Sequence, residues 1–135
     1  MTTEENKAVL QRLIEEFLNG RNPNVVDEIF AKDFVDHQGG LGPTGGREDL
    51  KAFVAPITKA FPDIRFEIIS MVAEGDRVFA HIVGRGTHSG DFAGVGATGR
   101  RVTTVGMSTL RIADGKVAER WNVTDFAGLM QQITS

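Results

Sequence analysis

The order of periodicities along the chain predicts an α+β fold. N-terminal helices pack on one face of a strongly curved, mainly antiparallel β-sheet and enclose a pocket between the layers. Three observations carry this expectation. Apolar residues recur at helical spacing through the segments before Phe61, and from Ile64 onward they alternate with polar ones. The turn sequences "EGD" (74–76) and "ADGK" (113–116) then join alternating runs as hairpins do.

The first helix opens at Thr2 or Thr3, where Thr2-x-x-Glu5 has capping-box spacing, and Leu10, Leu13, Ile14, Phe17 and Leu18 form one apolar stripe. Gly20 ends it. Asn22 and Pro23 supply the cap and first position of a short second helix carrying Val25, Val26, Ile29 and Phe30. The segment 31–46 is a brief extended piece dissolving into glycine. A third helix spans Arg47 to Ala60, with Leu50, Phe53, Val54 and Ile57 on its buried side and a kink or break expected at Pro56. Strands follow over Ile64–Ala73, Arg77–His88, Arg101–Ile112 and Val117–Asn122, with a last helix over Asp125–Gln132. No repeat or linker interrupts residues 1–135, so one domain is expected.

Composition excludes several functions. Fifteen basic against 18 acidic side chains give a formal charge of -3, which argues against nucleic acid or an anionic membrane surface as partner. With no cysteine there are no disulfides, thiolate nucleophiles or zinc–sulfur sites, which suits a cytoplasmic location. The first ten residues lack the basic and apolar regions of a signal peptide, and no apolar run is long enough to span a bilayer.

The stretch "GRGTHSGDFAGVGATGRR" (84–101) tests nucleotide binding. Gly94, Gly96 and Gly99 have the G-x-G-x-x-G spacing, but the chain from Val102 onward is strand-like where that motif opens a helix. The glycines therefore turn a loop at the rim of the sheet, and Arg100 and Arg101 serve the return into the next strand. His88 stands at the loop's mouth and Phe92 within it, both placed to meet a ligand. His37, in "FVDHQGG", has the ordinary pKa of a general base or carbonyl donor, or else bonds a backbone carbonyl as a loop histidine. His81 and His88 are seven apart on one strand and so face opposite ways, and no metal-ligand spacing links them; no metal site is expected. No G-x-S-x-G surrounds Ser70, Ser89 or Ser108. In "ERWNVTDF", Glu119 and Trp121 face one way and Arg120 and Asn122 the other, while Asp125 either does chemistry or caps the last helix.

"GTHSGDFAGVGATGRRV", "LRIADGKVAERWNVTD" and "LMQQI", with looser likeness in "FVDH" and "AFPD", resemble the SnoaL-like polyketide cyclase (ester cyclase) family of the NTF2-like superfamily. The resemblance implies an α+β cone, usually assembled as a dimer or larger oligomer through its sheet. It also implies ring closure by intramolecular aldol condensation without metal or cofactor. At two positions this chain departs: Asn122 stands where the ring-closing members carry an aspartate base, and Ser108 where they carry a histidine. Gly96 stands where a proline is common. The expected function is a cofactor-independent cyclase or isomerase acting on a small hydrophobic polyketide-like or carbonyl substrate. Asp125, His37 and Asn122 are its catalytic candidates, and His88, Phe34, Phe92, Met107, Ser108 and Trp121 its substrate-binding ones. The alternatives are epoxide opening or hydration in the same pocket, ligand binding without turnover, and an interaction protein that dimerises through its sheet.

Overall fold

The computed structural model describes residues 2–135. Helix α1 (Thr3–Arg12) opens with the expected capping box: Glu5 N–H donates to Thr2 Oγ1 at 3.1 Å and Thr2 N–H to Glu5 Oε1 at 3.3 Å. It continues as a wider π-helical segment over Leu13–Asn19, which the apolar spacing did not announce. Gly20 terminates it as expected. Helix α2 (Asn24–Ile29) starts one residue later than expected, because Pro23 takes the cap position and the Asn22 side chain accepts from Asn24 N–H. Phe30 leaves the helix to open strand β1 (Phe30–Gln38), a full strand where only a brief extended piece was expected.

Helix α3 (Arg47–Ala60) has the expected bounds, and the Asp49 carboxylate accepts Gly46 N–H at 2.8 Å. It runs through Pro56 without a break. Pro56 and Ala52, whose carbonyl loses its helical donor, both lie on the exposed side, where water can replace the missing bond. Four strands follow: β2 (Arg65–Glu74), β3 (Arg77–Thr87), β4 (Arg101–Ala113) and β5 (Lys116–Thr124). Helix α4 (Phe126–Thr134) closes the fold.

The sheet order is β1-β5-β4-β3-β2. All neighbours are antiparallel except β1, which pairs with β5 in parallel. That pairing sets the site: Asp36 lies opposite Arg120 and Gln38 opposite Asn122, while Ser108 on β4 faces Asn122 from the other side. A bulge at Ile69 in β2 lets Phe66 and Ile68, then Met71 and Ala73, keep to the inner face across an extra residue.

Two apolar clusters fill the space between helices and sheet. One joins Leu10, Val26, Phe30, Leu110 and Val117, all fully buried. The other joins Ala60, Phe61, Ile64, Val102, Leu129 and Ile133 beneath α3 and α4. Each such Leu, Val or Phe contributes about 1.5–3 kcal/mol by leaving water. No helix among the described residues is long and apolar enough to cross a membrane.

Candidate functional site

A cavity of about 90 Å³ takes its walls from both clusters. Leu13, Ile14 and Leu18 of the π-helical segment, Phe53, Val54 and Ile57 of α3, and Phe126 and Leu129 of α4 make it apolar. Its polar groups gather on the sheet, where Thr104, Ser108, Arg120, Asn122 and Thr124 all face inward. Gly84 lies on the same floor; a Cβ there would come within 2.8 Å of the Phe66 ring and 3.0 Å of Thr104.

All of these but Thr104 are joined, through Gln38 and Asp36, in one connected chain. Ser108 Oγ donates to Asn122 Oδ1 at 2.7 Å, and Asn122 Nδ2 donates to Gln38 Oε1 at 3.2 Å and Thr124 Oγ1 at 3.0 Å. Gln38 Nε2 donates to Asp36 Oδ2 at 2.8 Å. Arg120 then closes on Asp36 through Nε to Oδ1 at 2.9 Å and Nη2 to Oδ2 at 3.1 Å. The donor sense runs one way from Ser108 to Asp36, and the buried guanidinium meets a buried carboxylate. An amide at position 122 is what this direction requires, since Gln38 offers it an acceptor. Thr104 Oγ1 is buried with no partner among the described residues.

Of the residues singled out in the sequence, Asn122 and Ser108 are on the cavity floor. The others are elsewhere, each for a definable reason. His37 belongs to the opposite, outer face of the sheet, because β1 alternates and Asp36 has taken the inner direction. There its Nε2 lies 2.7 Å from Glu119 Oε2, its Nδ1 2.7 Å from the Leu41 carbonyl, and its ring stacks on Trp121 with centroids 5.1 Å apart. Both ring nitrogens face acceptors. The Glu119 hydrogen bond raises the His37 pKa, and the same bond, with help from Arg111, lowers that of Glu119. His37 therefore pairs with Glu119 on the outer face and does not line the cavity.

Trp121 and Met107 share that outer face, the latter 53% exposed. Phe34 is packed edge-on against Phe30 in the first cluster and does not line this cavity. Asp125 is exposed and caps α4, its Oδ1 accepting Gly128 N–H at 2.8 Å. Phe92 stacks near Phe61 and Phe126 in the second cluster, supporting the cavity wall from behind. Its loop is a tight hairpin: Phe92 and Val95 exchange backbone bonds, and Ala93 and Gly94 both have positive φ. His88 is fully buried behind Phe61, 5.4 Å between ring centroids. Thr98 N–H donates to His88 Nδ1 at 3.3 Å, which puts the proton on Nε2, and that atom has no partner among the described residues.

Arg120, Gln38 and Thr104 have no role in the sequence reading, although strand alternation did place Arg120 on the face of Asn122. The missing signal was the parallel pairing with β1, which alone brings Asp36 and Gln38 to them.

Comparison with known proteins places these features in context. Residues 8–133 match the family model described as SnoaL-like polyketide cyclase. The aklanonic acid methyl ester cyclase AcmA of Streptomyces galilaeus is 28% identical over 130 residues, covering 96% of this chain and 90% of its own. The aklanonic acid methyl ester cyclase DnrD of Streptomyces peucetius is 27% identical, over 93% of this chain and 88% of its own. Among solved structures, AclR of Streptomyces galilaeus, a candidate hydroxylase, superposes with a TM-score of 0.90 at 30% identity, covering 98% of this chain and 82% of its own. IdmH of Streptomyces antibioticus, a candidate polyketide cyclase, gives 0.85 at 27% identity, covering 96% and 99%.

Proposed function

Since the chain belongs to the SnoaL-like polyketide cyclase family, we propose that it is a cofactor-independent cyclase or isomerase for a small, largely apolar carbonyl compound. The observation that supports this most is the cavity itself, with apolar walls and polar groups confined to the sheet floor around Asn122. Such a site seats the body of a ligand by apolar contact and orients its oxygens by hydrogen bonds. Ring closure needs little more. A carbon acidified by neighbouring carbonyls loses its proton, the enolate attacks a second carbonyl in the folded chain, and the new alkoxide takes a proton back. Mass is conserved. The named relatives suggest a methyl ester as substrate, and a β-keto ester is the kind whose carbon is acidic enough for this step. The floor supplies donors and acceptors, with Arg120 its one charged side chain, so the proton travels by water or between substrate oxygens held at Ser108 and Thr124.

Ligand binding without turnover is the second reading, and one observation favours it: among the described residues no carboxylate or imidazole lines the cavity. The same fact weighs against epoxide opening or hydration, which need an activated water. Incubation with a panel of methyl β-keto esters, followed by chromatography for products of unchanged mass, decides. Ring-closed products, falling about a hundredfold in rate in Asn122→Ala, support the enzyme. Tight binding with no product supports the second reading, and failure to bind any member overturns both.

We also propose that a second copy of the chain packs on the outer face of the sheet. Val72, Phe79, Met107 and Val123 are each at least half exposed there, and their pairings (Val72 with Phe79, Met107 with Val123) make them one apolar surface across four strands. The cysteine-free chain fits a cytoplasmic location, which we assign it.

A further inference from the structure

Arg120 is only partly engaged by protein. Its Nε and Nη2 bond to Asp36, yet Nη1 has no protein acceptor among the described residues, and the residue, 8% exposed, lines the cavity. Asp36 is 2% exposed and does not line it; its carboxylate is taken up by Arg120 and by Gln38. A ligand therefore meets the guanidinium edge and not the carboxylate that balances it. Two further features sharpen the asymmetry. Asn122, beside Arg120 on β5, has its amide protons committed to Gln38 and Thr124. Around them the walls are aliphatic and aromatic, where a charge is poorly screened and an unpartnered N–H is costly.

We propose that Arg120 docks an anionic oxygen of the ligand, so that the cavity selects enolates and phenolates over their neutral acids. Arg120 is then the group that holds negative charge at the carbonyl as it ionises, and Asp36 positions the guanidinium by fixing two of its nitrogens. The ligand class is narrowed to compounds with an enolisable ketone or an acidic phenol on an apolar ring. This inference rests on the cavity being the ligand site, as in the function proposed above.

The test uses two probes of similar size: 4-nitrophenol, whose anion absorbs at its own wavelength, and nitrobenzene, which cannot ionise. Binding of each is followed across pH with the intact protein. The expected result is that both bind, and that bound 4-nitrophenol ionises about one pH unit or more below the free probe, a tenfold preference for the anion. In the double variant Arg120→Met/Asp36→Asn, which leaves no bare charge behind, the preference for the anion of 4-nitrophenol over its neutral form should vanish, so that the bound probe ionises at its free value or above. If both probes bind but the phenol ionises at its free value or above, the inference is overturned while the cavity stands. If neither binds, the cavity reading fails and takes the inference with it.

Discussion

Asp36 and Arg120 lie directly opposite one another in the parallel pairing of β1 with β5, and their side chains close a two-point ion pair on the inner face of the sheet. Side-chain exposure is 2% for the carboxylate and 9% for the guanidinium. The pair fastens the edge strand to the sheet and sets the charged end of the cavity floor. Stability and ligand recognition thus depend on the same two residues.

A buried pair is worth little against apolar replacements, but losing one partner leaves the other unpaired. Arg120→Met alone is expected to destabilise the fold by about 3–5 kcal/mol, and Arg120→Met/Asp36→Asn by clearly less. Urea unfolding of both variants measures the difference. Equal losses would show that packing of the arginine stem, not the charge, is what matters.

Asn122→Asp places a carboxylate where Gln38 presents a carbonyl oxygen and where two donated hydrogen bonds are lost. The expected cost is about 1–3 kcal/mol at pH 8, where the new group is ionised. It shrinks toward pH 4 as protonation returns one donor. Adding Ser108→His supplies a cationic partner and rebuilds the histidine–aspartate arrangement that the resemblance assigns to ring-closing members. The double variant is expected to exceed the native chain in converting β-keto esters, measured as initial rates. A native rate higher than both variants would detach ring closure from a carboxylate at 122.

Much of this fold could be read in advance because local signals agree. Thr2 and Glu5 spell a cap, residues 47–60 keep helical spacing, and the alternation from Arg65 onward gives each strand its inner face. The site was harder. His37 and Asp36 are neighbours, and nothing local says which of the two faces the core; the ladder with β5, more than 80 residues away, decides it. Likewise Asp125 has the residue type of a base and the position of a cap, and only the direction of its carboxylate separates them. The π-helical turn at Leu13–Asn19 shares its apolar stripe with an α-helix and left no distinct trace.

His37 and Glu119 should make stability depend on pH at both ends. The histidine pKa is raised on folding, so its contribution is complete below its ordinary value of about 6.5 and is lost as pH climbs through the raised value. The glutamate pKa is lowered, so its contribution is complete above about 4.3 and is lost as pH falls through the lowered value. Between these limits the pair is fully formed. Thermal unfolding from pH 3 to 9 is expected to show a flatter profile for His37→Gln than for the native chain. A native-like slope above neutrality in that variant would assign the dependence to another group.

Asp125 separates capping from catalysis. Replacing it by alanine removes the acceptor for Gly128 N–H and should cost about 1 kcal/mol, whereas asparagine keeps an acceptor and should cost a few tenths at most. Neither change should alter ligand binding, since the carboxylate points to its own helix. Calorimetric titration of a bound ligand in Asp125→Asn checks this, and a large affinity loss would return Asp125 to the site.

The outer face offers the last test. Phe79 is 50% exposed and sits between Val72 on one neighbouring strand and Thr109 on the other, so its ring adds little to the chain's own core. Phe79→Glu should therefore change folding stability by no more than about 0.5 kcal/mol. In an interface between two copies, however, the same change buries two carboxylates against apolar side chains, which is far more costly. Sedimentation equilibrium at micromolar concentration is expected to give a dimer for the native chain and a monomer for this variant, with the same circular dichroism. A native chain that sediments as a monomer would remove the second copy from that face. A dimer that survives Phe79→Glu would place the contact elsewhere on the molecule.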